Sequence, residues 1–319
     1  MSDWFDQITS PEFLAGLGFL LTVFVGLAAL MSTLTRLFRG LTLSYRVALI
    51  GRPRAGKTSL LAAMFDQILS GNTQKNVKIV GTKTIRQIGD IIYTLDTSGT
   101  VEPTLSEDRF LFRFFYYPLR YFRDFFKYEV EITDFPGEYS DDLFAISDDE
   151  SISQDEQFLI DQEYLSWATH CHTIILAIDT EEWIRRGNRY AETISHKMRS
   201  TILALSEYRS EAHISSAPFK IALVFTKFDL ILSDDYGYDG INSEPMMQKI
   251  YLSTELDESI TEFTSEANKS FSTLIDFLQN SPHTSRIFFT SALKSSDRRE
   301  RFGVGKLLQF CLPRKGIGR

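Results

Sequence analysis

Apolar residues fall along this chain in two regimes. From 13 to 31 it reads FLAGLGFLLTVFVGLAALM without a charge, a stretch that as an α-helix measures about 28 Å, close to a hydrocarbon core of ~30 Å. Past a connector at 32–44, apolar runs of strand length alternate with longer stretches of helical spacing. The clearest strands are expected at 45–50, 128–133, 173–178, 219–225 and 286–290, and helices at 59–69, 156–169, 182–208, 246–279 and 305–310. Such alternation predicts an α/β fold, a doubly wound and mostly parallel sheet, preceded by one N-terminal transmembrane helix. In a sheet of that kind ligands sit at the carboxyl ends of the strands.

Charge orients the apolar helix. Asp3, Asp6 and Glu12 precede it, whereas Arg36, Arg39 and Arg46 follow it. A secretory signal would begin with basic residues. The positive-inside rule therefore places 1–12 outside, 13–31 in the lipid bilayer and the domain 45–319 in the cytoplasm, as in a single-pass protein of a bacterial inner membrane.

Composition removes some function classes. A net charge of −8 over 319 residues speaks against a nucleic-acid partner, since a phosphate backbone demands a basic face. Two cysteines, Cys171 and Cys311, make no disulfide framework and suit a reducing compartment. The 26 phenylalanines and 13 tyrosines supply material for a large core.

The strongest local signal is Gly51-Arg52-Pro53-Arg54-Ala55-Gly56-Lys57-Thr58, which fits the pattern GxxxxGKT between a strand and a helix. Its glycines let backbone N–H groups close around phosphate oxygens at a helix N-terminus. Lys57 is placed to neutralise the β- and γ-phosphates, the Thr58 hydroxyl to bind Mg²⁺, and Ala55 and Ser59 to complete the loop. Asp134-Phe135-Pro136-Gly137-Glu138 follows the next strand. Asp134 is the expected carboxylate on the Mg²⁺ side, and the Gly137 N–H the expected contact to the γ-phosphate.

Guanine differs from adenine in presenting two donors, N1–H and the exocyclic amine, on one edge. Asp229, in Thr226-Lys227-Phe228-Asp229 at a strand end, can accept from both while the Lys227 stem covers the base. Threonine replaces the commoner asparagine at 226, as in Rho-type small GTPases. Ser291-Ala292, at the end of the following strand, resembles the element that offers backbone contacts to the guanine oxygen. These pairings favour GTP and GDP over ATP.

Together the motifs resemble the translation-factor-related class of P-loop GTPases across 45 to about 310. Within that class, GxxRxGKT and the run from Asp134 to Glu138 are similar to the YcjX-like family, with Tyr139 where that family carries tryptophan. The β subunit of the signal-recognition-particle receptor, a G domain behind one N-terminal span, offers a parallel architecture but lacks the loop arginine. The resemblance implies a P-loop G domain enlarged by insertions near 81–127, 139–156 and 231–246.

Hydrolysis would need an oriented water and positive charge on the transferring phosphoryl group. Glu138 stands where Ras-like proteins carry a water-positioning glutamine, and its charge beside the γ-phosphate predicts slow turnover. Arg54 either supplies cationic charge in cis, pairs with a neighbouring acid or is simply solvated. A switch I threonine for Mg²⁺ is expected among Thr94, Thr97, Thr100 and Thr104, with Thr104 favoured because it lies nearest the apolar run at 109–117. Segment 109–128, rich in aromatics and arginine, reads as a core strand pair, a partner or membrane patch, or a base-stacking platform. The acidic residues from Asp141 to Glu156 read as a solvated switch II or a docking surface for a basic partner. The expected function is a membrane-anchored, slow GTPase switch whose switch regions recognise a protein partner. The alternatives are a non-hydrolysing nucleotide-binding scaffold and an ATP-driven subunit of a membrane complex.

Overall fold

A computed structural model describes residues 11–38, 41–70, 76–98, 110–118, 126–134, 167–211, 217–228, 256–293 and 301–313. The elements, in chain order, are α1 (Pro11–Phe38), β1 (Leu41–Gly51), α2 (Lys57–Leu69), β2 (Val77–Ile79), α3 (Thr82–Ser98), β3 (Phe110–Tyr116) and β4 (Phe126–Asp134). They continue with β5 (Thr173–Asp179), α4 (Thr180–Arg186), α5 (Asn188–Glu211), β6 (Lys220–Thr226), α6 (Leu256–Ser270), α7 (Ser272–Asn280), β7 (Thr284–Phe289) and α8 (Val304–Cys311).

The strands form one sheet in the order β2-β3-β4-β1-β5-β6-β7. β4, β1, β5, β6 and β7 run parallel, and β2 and β3 add an antiparallel edge. Helices cover both faces, so the interior strand β5 is buried at every position, as a near-continuous apolar run requires. Alternation in β1 sends Ala48 and Ile50 into one core with α4, α5, α6 and α7. Val47 and Leu49 go into the other, with α2, α3 and α8. In β3, Phe112, Phe114 and Tyr116 are buried, while exposed Arg113 pairs with Glu131 of β4 at 2.8 Å. Within 110–118 that is a core strand; Arg120 and Arg123 lie outside the described residues.

Several expectations need correcting. Within the connector expected at 32–44, the described residues belong to α1, which runs to Phe38, and to β1, which begins at Leu41 and pairs its first residues with Phe126–Tyr128 of β4. The helix expected at 182–208 divides at Gly187 into α4 and α5, and 246–279 resolves, where described, into α6 and α7 about Phe271. The insertion placed near 81–127 is structured in part as α3 and β3, and β2 lies just ahead of it.

Among the described residues no helix is long and apolar enough to cross a membrane, so the span expected at 13–31 has no support from the structure. α1 spans 28 residues, and the side chains of 18–33 are described without a break. That part is apolar and uncovered, with Phe24 75% and Phe19 71% exposed.

Candidate functional site

The strand register brings the carboxyl ends of β4, β1, β5 and β6 to one edge: Asp134 lies beside Leu49, Gly51 beside Ala177 and Asp179 beside Thr226. The loop after β1 begins at Gly51, where a Cβ would come within 2.8 Å of the Ala177 carbonyl oxygen, so only glycine lets β5 approach. The loop then turns through two left-handed residues, Arg54 (φ 64°) and Gly56 (φ 71°), with the Ala55 N–H donating to the Arg52 carbonyl at 3.2 Å. Glycine adopts that conformation freely, whereas at Arg54 it costs about 1 kcal/mol. Arg54 is exposed, Ala55 is buried and Ser59 sits half-buried in the first turn of α2.

Lys57 closes the loop from inside. Its buried ammonium donates to the Gly51 carbonyl at 2.8 Å and the Arg52 carbonyl at 3.0 Å, placing a positive charge at the N-terminus of α2. That end of a helix already favours anions. Beside it, the Thr58 hydroxyl donates to Oδ2 of Asp134 at 2.7 Å. Asp134 is 1% exposed. Burial pushes its carboxyl up to about 6, against opposing pulls from the Lys57 charge and the Thr58 hydrogen bond.

Asp134 also leaves a buried oxygen, Oδ1, without a hydrogen-bond partner. A buried carboxylate with an unused oxygen next to a threonine hydroxyl is the hard-oxygen donor set that Mg²⁺ accepts alongside phosphate and water. Among the described residues no group of three or more His, Cys, Asp or Glu gathers to hold a metal by itself. Thr58 and Asp134 thus fit the ion that a nucleotide would bring.

The base side is tied to the phosphate side by one hydroxyl. Buried Thr226 lies 2.7 Å from the Ala55 carbonyl and 3.0 Å from the Ile178 carbonyl, so it can donate to either the phosphate loop or β5. A longer amide is not needed for that tether, which accounts for threonine at 226. Lys227, at φ 55°, passes its stem alongside Gly56. Its ammonium bonds Oδ2 of Asp179 at 2.8 Å and Oε2 of Glu181 at 2.9 Å. Burial alone would lower the Lys227 pKa, but the two carboxylates outweigh it and the net shift is upward. Phe228 is buried against Phe302 and donates its N–H to the Thr290 carbonyl at 3.1 Å. Ser291 is buried and bonds Phe302 through its backbone, and Ala292 is half-buried.

The structure thus brings together Gly51, Arg54, Ala55, Gly56, Lys57, Thr58, Ser59, Asp134, Thr226 and Lys227. Gly137, Glu138 and Asp229 lie outside the described residues, as do Thr100 and Thr104. Thr94 and Thr97 stand inside α3, each hydroxyl donating one turn back, to Asp90 and Tyr93. Asp179 and Glu181 were missed by the sequence reading. Asp179 caps α4, its Oδ1 accepting from the N–H groups of Glu181 and Glu182. An aspartate followed by Thr-Glu-Glu at a strand end carries that signal.

A phosphate-cradling loop with a buried lysine, a Thr–Asp pair beside it and a base-side strand end tied to the loop define a P-loop nucleotide-binding domain of the GTPase type. The Double-GTPase 2 family model matches residues 45–284, and the chain belongs to that family. No curated protein matches it. Among solved structures it is similar to the small GTPase Arl6 (BBS3) from Trypanosoma brucei with bound GppNp. The identity there is 11% and the TM-score 0.38, over 83% of this chain and 95% of that one. It is also similar to the GTPase-like domain of S. cerevisiae Ski7 bound to GTP, at 12% identity and a TM-score of 0.42, over 85% of this chain and 50% of that chain. The G domain of the T. maritima iron transporter FeoB matches at 16% identity and a TM-score of 0.32, over 84% and 96%.

Proposed function

We propose that this protein is a membrane-tethered GTPase switch that binds GTP with Mg²⁺, hydrolyses it slowly on the cytoplasmic side and signals its state to a protein partner. The observation that carries the nucleotide part is the Thr226 hydroxyl on the Ala55 carbonyl, which joins the candidate base-reading strand end to the phosphate loop. Lys57 would neutralise the β- and γ-phosphates, and Gly56 and Thr58 would offer backbone N–H groups. Thr58 and Asp134 would hold Mg²⁺, which when bound neutralises charge on the phosphates. Exposed Arg54 would add cationic charge over the loop, and Glu138 would orient the attacking water. Ser291, Ala292 and Asp229 would read guanine.

The test of base reading is Asp229→Asn. Loss of two charge-assisted hydrogen bonds should weaken GTP about 100-fold and turn preference toward xanthosine triphosphate. GTP affinity left unaltered would reject the guanine assignment. Single-turnover hydrolysis separates the switch from a scaffold that never hydrolyses: no release of phosphate with GTP bound selects the scaffold.

The tether rests on α1, whose described apolar side chains have no cover. A lipid bilayer would cover them, with 1–12 outside and Arg36, Arg39 and Arg46 inside. On this basis the full chain should resist alkaline carbonate extraction from membranes. Val23→Asp, near the helix centre at a cost of about 3 kcal/mol, should release it. Full release of the unsubstituted chain would remove the tether from the proposal.

A further inference from the structure

Arg301 is far from the phosphate loop in sequence, yet its side chain is 0% exposed. A guanidinium leaves water at a cost of several kcal/mol unless its donors meet matched acceptors. Here they do, on three separate elements. Nε bonds Oδ2 of Asp66 on α2 at 2.9 Å, Nη2 bonds Oδ1 of Asp96 in the last turn of α3 at 2.8 Å, and Nη1 donates to the Ala292 carbonyl. The same segment also grips the loop through its backbone and a ring. The Phe302 carbonyl accepts from the Ser291 N–H at 3.1 Å, and its ring stacks on Phe228, with centroids 5.4 Å apart.

Phe228 and Ser291-Ala292 flank the candidate base site. Asp66 belongs to the helix that starts at the phosphate loop. α3 leads into the segment that holds Thr100 and Thr104. One planar fork therefore fixes a backbone carbonyl of the base loop against both helices, and a lysine, which bonds as a point charge, cannot span the three.

We propose that Arg301 is a positioning residue for base recognition: it sets the geometry of loop 291–293 from α2 and α3, so that guanine occupancy and the α3 end are energetically coupled. The inference rests on the guanine reading above. Coupling of this kind is reciprocal, so a nucleotide that orders the loop must also steady α3.

The experiment uses the full chain and Arg301→Lys, with Asp96→Asn as the milder variant, since it keeps the ties to Asp66 and Ala292. Affinities are measured for GTP, ATP and tripolyphosphate, and backbone hydrogen exchange is followed at 290–293, at 92–98 and, as a control, in α7. Arg301→Lys should lower the GTP-to-ATP preference at least 10-fold while tripolyphosphate binds within 2-fold of the parent. Asp96→Asn should lower it a few-fold, and exchange should rise together at 290–293 and 92–98 but not in α7. An unchanged preference in both variants overturns the inference, as does exchange that rises at one segment without the other. If the parent itself fails to prefer GTP, the guanine reading is what falls, and the exchange data still decide whether Arg301 couples the two segments. Should Arg301→Lys not fold, Asp96→Asn alone decides by the same two measurements.

Discussion

Replacing Asp134 with asparagine is expected to make the nucleotide-free protein more stable at neutral pH and at the same time to remove its response to Mg²⁺. In the folded protein burial raises the Asp134 carboxyl to about 6 from an ordinary 3.8. A raised pKa means that the native state binds the proton more tightly than the unfolded chain does. The contribution of this group is therefore fully present below pH 3.8 and is lost as pH rises through 6. At pH 7.5 the ionised, buried carboxylate is a standing cost of about 3 kcal/mol by that shift. Asparagine keeps the shape, keeps an acceptor for Thr58 and cannot ionise. The melting temperature at pH 7.5 should rise by roughly 6–12 °C, given ~2–4 °C per kcal/mol for a domain of this size, and the gain should vanish near pH 4. Nucleotide affinity measured with Mg²⁺ should fall to the value measured with a chelator. A less stable variant at pH 7.5, or one whose affinity still rises with Mg²⁺, would reject the metal-side role given to Asp134.

That trade of stability for a site explains why some of this molecule is legible in its sequence and some is not. Buried parallel strands show as apolar runs, and β5, IILAI between Thr173 and Asp179, is readable for that reason. The phosphate loop is readable because its chemistry is local: Gly51, Gly56, Lys57 and Thr58 do their work within one turn. α3 carries a helical spacing, with Ile88 and Leu95 buried one heptad apart. A reading that expected a switch loop there passed over it, and so left Thr94 and Thr97 as candidate metal ligands. The helix expected at 182–208 ran through Gly187, where the chain breaks. Arg301 carries no local pattern at all. Its acid partners lie 235 and 205 positions away, and only the fold brings α2, α3 and the loop after β7 to the same point.

Lys57→Ala should abolish nucleotide binding, and its effect on the empty protein should depend on Asp134. Lys57 donates to two carbonyls that hold the ends of the phosphate loop together, and one of those contacts is fully buried. Removing the donor deprives the buried Gly51 carbonyl of that bond, at about 1–3 kcal/mol, while the Arg52 carbonyl keeps the Ala55 N–H. It also removes the positive charge that holds the Asp134 carboxyl down against burial. That carboxyl should then titrate higher still, so Lys57→Ala should lower stability most at neutral and alkaline pH and least near pH 4. Lys57→Ala combined with Asp134→Asn should recover part of the loss, because no buried charge remains uncompensated. The recovery is the coupling energy of a double-mutant cycle. It is measured by denaturation of the four proteins at pH 7.5 and pH 4. Nucleotide affinity should fall ~1000-fold or more in both lysine variants, since two charge-assisted bonds to phosphate, at about 2 kcal/mol each, disappear. Additive stabilities at pH 7.5 would show that Lys57 and Asp134 do not compensate one another. Retained affinity would show that this loop is not where phosphate binds.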